Sequence, residues 1–167
     1  VTVVVDTSAF VSLAAGDVLS TTVAEFDLVT TETVVEELRE TAAHQDRHGR
    51  AAADVLDRLD RVTVVVPADE GFETSRIDSG EATCVTAARE TDARFLVTDD
   101  FRALPELERL VAADVVLSPV LLRALVSRGA LEEGTAEEAF DAMATERDWL
   151  EAPIHRYARR LFDADGS

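Results

Sequence analysis

The chain has 167 residues, enough for one domain with a buried core. Its 47% apolar content argues against disorder, and its single cysteine, Cys84, excludes an intrachain disulfide and a multi-cysteine zinc site. Thirty-four acidic residues stand against 16 basic ones, for a net charge of −18, and every basic residue is Arg. Such a surface repels nucleic acid at low ionic strength. Either the partner is not nucleic acid, or the protein works in concentrated salt, where the Debye length falls to about 3 Å. The acidic residues are spread along the chain like solvated surface, which favours salt. No run approaches 18 uncharged apolar residues, so no membrane span is expected. No basic segment precedes the first apolar run, as a signal peptide needs. The expected location is the cytoplasm.

The elements follow in chain order. A Val-rich run over 2–6 reads as a buried parallel strand ending at Asp6. Phe10 to Ala15 begin a short helix, and Asp17 to Glu25 carry another helix or a turn. FDLVT (26–30) supplies a second strand. A helix follows, with Thr31 as its N-cap and Val34, Val35, Leu38 and Ala42 on its apolar face. Residues 51–61 read as helix and 61–67 as a strand stopped by Pro67. Asp78 to Glu81 resemble a capping box that opens a helix containing Ala82, Val85, Ala87 and Ala88. ARFLVTDD (93–100) is a strand running into two Asp residues. FRALPELERLVA is a short helix interrupted at Pro105 or started by it. Residues 114–119 form a fifth strand, and the remainder is helical over 120–128, 135–147 and about 154–163. Alternation of Val-rich strands with helices implies one α/β domain, 1–167, with a parallel sheet and a helical C-terminal part from 120.

Parallel strands end on one edge, where open α/β sheets bind ligands. Asp6 ends the first strand, and Asp99 and Asp100 follow the fourth. Glu37 lies one turn into the helix after the second strand, and Glu81 in the first turn of the helix before the fourth. Converging carboxylates repel one another, and a hard divalent cation, Mg2+ or Mn2+, relieves the repulsion with oxygen ligands. Two such ions activate water and stabilise the leaving oxygen in phosphodiester cleavage. The three histidines, His44, His48 and His155, fall outside this edge. Plainer readings stand beside these. Asp6 is a helix cap, Thr7 and Ser8 are capping hydroxyls, and Glu81 is the N3 partner of Asp78. Glu36 competes with Glu37, Asp100 competes with Asp99, and TDD is an ordinary turn. Cys84 reads as a small buried hydrophobe, and Trp149 and Tyr157 as packing anchors.

The stretches VVVDTSAF (3–10), TTETVVEELRE (30–40), DSGEATCVTAA (78–88) and FLVTDD (95–100) resemble the PIN domain family. That resemblance extends over nearly the whole chain. It implies a three-layer α/β/α sandwich around a five-stranded parallel sheet, and metal-dependent cleavage of RNA with Mg2+ or Mn2+. Carried over, the family's acidic positions fall on Asp6, Glu37, Glu81 and Asp99, with Asp100 as a further ligand position and Thr7 and Ser8 as positioning hydroxyls. The tail after the sheet looks like that of a prokaryotic subgroup, although the SPV run (118–120) replaces a Gly-rich turn. The Lys-free, acid-rich composition resembles proteins of extremely halophilic archaea. The implied function is a ribonuclease. The alternatives are the toxin of a toxin–antitoxin pair, with an antitoxin-like partner, or a non-catalytic binding scaffold. Leu121, Leu122, Leu125, Leu131, Phe140 and Trp149 suggest surplus apolar surface on the tail, hence a homodimer. Arg76 and Arg102 are the basic residues nearest these motifs. A receiver domain lacks its Lys here, and an Asp-nucleophile phosphatase lacks its DxD, since Ser8 stands two after Asp6.

Overall fold

The computed structural model describes residues 1–68, 77–150 and 152–163. The first strand, β1 (Thr2–Val5), is three buried valines behind Thr2, and α1 (Thr7–Ala15) and α2 (Leu19–Glu25) follow it. Next come β2 (Asp27–Thr31), α3 (Glu32–Ala42), α4 (Arg47–Asp57) and β3 (Thr63–Val65). The second half holds α5 (Ser79–Glu90), β4 (Phe95–Val97), α6 (Leu104–Leu110) and β5 (Asp114–Val116). It ends with α7 (Ser118–Ser127), α8 (Glu133–Glu146) and α9 (Pro153–Asp163).

All strand pairs are parallel, in the order β3-β2-β1-β4-β5. The chain moves outward from β1 to β3, then crosses to β4 and on to β5. Right-handed crossovers in opposite directions put their helices on opposite faces. Accordingly α1 packs with α4, α7 and α8, whereas α5 packs on β1, β2 and β4. The architecture is an α/β/α sandwich. The reversal leaves a crevice between the C-terminal ends of β1 and β4, the place where such sheets bind ligands.

Local chemistry explains the boundaries. Thr31 Oγ1 accepts from the Val34 amide and caps α3, as its position in the sequence implies. Asp78 and Glu81 form a complete capping box on α5. Helix α4 starts at Arg47 rather than at 51, because Asp46 Oδ1 accepts from the Gly49 amide at 2.8 Å. Strands β3, β4 and β5 are shorter than expected, three residues each, because their ladders end at Val65, Val97 and Val116. Ser118 and Pro119 belong to α7, not to β5: Pro lacks an amide hydrogen and suits the first helical turn. Pro105 likewise opens α6.

The C-terminal helices share one core with the sheet. Leu121, Leu122, Leu125, Phe140 and Trp149 are buried within this chain and Leu131 is half-buried, so the surplus apolar surface behind the homodimer expectation is absent from these positions. Phe140 stacks on Phe162 at 4.8 Å and on His155 at 5.6 Å. Each such aromatic adds roughly 0.5–1.5 kcal/mol beyond area burial. Tyr157 is not a buried anchor: it is 46% exposed and its ring lies 5.7 Å from that of Phe101. Among the described residues, no single helix is long and apolar enough to cross a membrane.

Candidate active site

The crevice is a cavity of about 530 Å³. Asp6, Glu37, Asp78, Glu81, Asp99 and Asp100 line it, together with Thr7, Ser8, Gly80, His48, Arg102 and Arg147. Every acidic residue singled out from the sequence therefore faces one space. The competing pairs part differently. Glu36 is exposed on α3 and Glu37 faces the cavity, whereas Asp99 and Asp100 both line it. Asp78 caps α5 and lines the cavity as well. Arg76 lies outside the described residues.

Asp6 follows β1 directly and is 5% exposed. Its Oδ1 accepts from the Ala9 amide at 3.0 Å and from Ser8 Oγ at 2.8 Å, and its Oδ2 from Thr98 Oγ1 at 2.6 Å. Capping and orientation are thus one act, not rival readings. Burial still dominates these donors and pushes the carboxyl up to about 7. Ser118 grips the Asp99 carboxylate, giving its amide to Oδ1 and its hydroxyl to Oδ2, both at 2.7 Å. Burial raises this carboxyl too, against the pull of hydrogen bonds from Ser118 and Ser12 and of the Arg147 charge.

The two glutamates come from the helices. Thr7 Oγ1 donates to Glu37 Oε1 at 3.0 Å. Burial raises the Glu37 carboxyl, helped by the negative charges of Asp78 and Glu40. Glu37 lies over Gly80 so closely that a Cβ there would stand 2.0 Å from Oε1. The glycine of the DSGE stretch leaves room for a carboxylate from another helix. Glu81 accepts from the Asp78 amide through Oε1 at 3.3 Å, while Oε2 is buried with no partner. Burial, then Asp78 and Asp100, push its carboxyl up to about 9.

These donors fit a hard divalent cation in kind. All are oxygens, and the orphaned Glu81 Oε2 is a buried acceptor that such an ion would satisfy. Among the described residues, no group of three acidic, His or Cys side chains is already arranged to hold one. Glu37, Glu81 and Asp100 come from helices or turns, while Asp6 and Asp99 are oriented by hydroxyl partners.

Several contributors were not legible as site residues. Thr98 and Ser118 look like ordinary strand-end hydroxyls, and no sequence signal connects Ser118 to a carboxylate 19 residues earlier. His48, expected away from the edge, lines the cavity because α4 begins early and its Nε2 lies 3.0 Å from the Glu146 carbonyl oxygen. Arg147 enters from the end of α8. Burial pushes its guanidinium below the ordinary value, opposed by Asp99, Asp6 and Asp148.

A family model described as DUF3368: PIN domain matches residues 2–164. Among solved structures, the fold is similar to that of a PilT N-terminus domain protein, SSO1118, from the archaeon Sulfolobus solfataricus P2. The TM-score is 0.55 at 19% identity, covering 79% of this chain and 95% of that one. It is also similar to PAE2754 from Pyrobaculum aerophilum, with TM-score 0.52 and 17% identity over 76% of this chain and 90% of that one. No curated protein matched. At these identities the structural likeness speaks to the fold alone.

Proposed function

Since the chain belongs to the PIN domain family, whose members are typically metal-dependent nucleases, we propose that its crevice hydrolyses RNA phosphodiester bonds with carboxylate-held Mg2+ or Mn2+. The observation that carries this reading is the buried set of Asp6, Glu81 and Asp99 at the sheet's switch point, none of them in a direct ion pair among the described residues, with Glu81 Oε2 lacking any partner. A structural ion pair would have matched these charges with arginine. Some exposed carboxylates elsewhere on the chain are matched in that way, as Asp148 is by Arg47 at 2.7 Å.

Asp6 and Asp99 would form the fixed side of the metal site, with Glu37, Glu81 and Asp100 completing it directly or through water. The cation supplies Lewis acidity and charge neutralisation at the scissile phosphate. The chain's own residues do the positioning. Thr98 and Ser8 hold the Asp6 carboxylate at a set angle, Ser118 does the same for Asp99, and Thr7 steers Glu37. Such outer partners commonly matter about 10–100-fold. At a net charge of −18, the approach of a polyanion needs screening, so this reading calls for concentrated salt. Cleavage of labelled single-stranded RNA in molar KCl, with Mn2+ against chelator and wild type against Asp6→Asn, tests the proposal. Metal-independent cleavage, or equal cleavage by the variant, would overturn it.

A further inference from the structure

Six carboxylates line the cavity, yet one half-buried arginine reaches into it from the far end of the chain. Arg147 is the C-cap residue that follows α8, just before the chain turns. Asp148 takes the left-handed conformation, with φ of 56°, and the Trp149 amide returns to the Ala144 carbonyl at 2.8 Å. Both neighbours of Arg147 are anchored to the start of α4. Arg47 binds Asp148 Oδ2 at 2.7 Å and lies 3.9 Å from Glu146, while His48 meets the Glu146 carbonyl. Trp149 is buried behind the turn. The backbone of Arg147 is therefore clamped from both sides.

Its head group is not satisfied in the same way. Nε is buried with no hydrogen-bond acceptor. Asp6 and Asp99 act on it through their charge, but their oxygens are already oriented by Ala9, Ser8, Thr98 and Ser118. Among the described residues no ion pair joins Arg147 to either. A planar guanidinium on an anchored backbone, lining the cavity and with an Nε that lacks an acceptor, is complementary to a phosphate. The other cavity arginine, Arg102, is exposed and not held in this manner.

We infer that Arg147 is the residue that grips a backbone phosphate of the substrate, and that the clamp between α4 and α8 exists to present it. This rests on the nuclease reading. It also gives the C-terminal helices a part in the site, since the sheet by itself contributes no cation at this position.

The test is anisotropy of a fluorescein-labelled oligouridylate titrated at several KCl concentrations, with Ca2+ in place of Mn2+, alongside cleavage with Mn2+. Arg147→Gln should bind about 10-fold more weakly and lower the slope of log affinity against log salt by about one. Arg147→Lys should keep the slope and lose at least about 3-fold in affinity, because an ammonium lacks the fork. If the Gln variant does not fold, the Lys variant alone decides by that same pair of readings. Arg128→Gln, an equal charge loss on the opposite edge, should change neither. Wild-type binding with an unchanged affinity and slope in the Arg147 variants would overturn the inference and leave the nuclease reading standing. A wild type that neither binds nor cleaves RNA with any divalent ion would overturn both.

Discussion

The two edges of the sheet use the same residue types in opposite ways. At the N-terminal edge, Asp27 is 84% exposed and pairs with the chain's amino group at 3.7 Å. Arg128 binds Glu25 at 3.2 Å and covers the Phe26 ring, and Arg94 lies over Phe95. These charges remain near water, and each pair is worth about 0–1 kcal/mol. At the C-terminal edge, Asp6, Glu81 and Asp99 are each under a tenth exposed, and burial raises all three carboxyls. The charges of the N-terminal edge are exposed, and several of them are paired. Carboxyls that cost stability persist where the fold's topology opens a crevice, the pattern on which the proposed function rests.

The largest effect that would sharpen this contrast is on activity. Asp6→Asn preserves the shape and removes the charge. It should leave the fold intact while lowering RNA cleavage by at least about 100-fold, beyond the usual loss from an outer partner. A rate assay on the folded variant checks this, and full activity would erase the distinction between the edges.

Gly80→Ala comes next. The added methyl meets only the flexible end of Glu37, so that carboxylate moves and the backbone stays. Alanine also favours a helix over glycine by about 1 kcal/mol. The variant should therefore melt no lower than wild type yet cleave about 10–100-fold more slowly, as misplaced groups do. A lower melting temperature with unchanged kcat would show that Gly80 is needed for packing instead.

The third effect is on stability. Burial lifts the Asp6 carboxyl from 3.8 to about 7, so the folded chain holds this proton more tightly than the unfolded chain does. That contribution is complete below about pH 4 and lost as pH rises through about 7. Chelator-treated wild type should therefore weaken across this window relative to Asp6→Asn, by roughly 2–4 kcal/mol. Millimolar Mn2+ should return most of the loss at the upper end. Denaturant midpoints in constant molar KCl measure both. Parallel pH profiles for the two proteins would mean that Asp6 is not strained by its burial.

The smallest effect belongs to the other edge. Arg128→Gln removes an exposed pair and a ring contact, and should cost less than about 1 kcal/mol with cleavage unchanged. A loss of activity there would contradict the division between the edges.

Much of this was readable before any coordinates. The Val run of β1, the threonine cap of α3 and the capping box of α5 are local signals, and each formed where its residues stand. The site was legible as a set of strand-end and first-turn carboxylates. What surrounded them was not. His48 reaches the cavity because α4 starts a turn early, on an Asp46 cap whose effect depends on that local turn. Tyr157 was misread because a lone aromatic on a helix carries no sign of which face is covered.

The sequence alone determined the alternation of buried strands and helices, and hence a parallel sheet with its acidic residues at one edge. Hydrophobic periodicity and caps act over a few residues, so they can be read within a window of that size. Tertiary structure decided which of Glu36 and Glu37 faces inward, that Ser118 serves Asp99, and that Arg147 enters an acidic crevice. Those outcomes depend on helix rotation and on contacts between residues up to about a hundred positions apart, as between Arg47 and Asp148. No local pattern encodes such contacts, because they arise from how whole elements pack against one another.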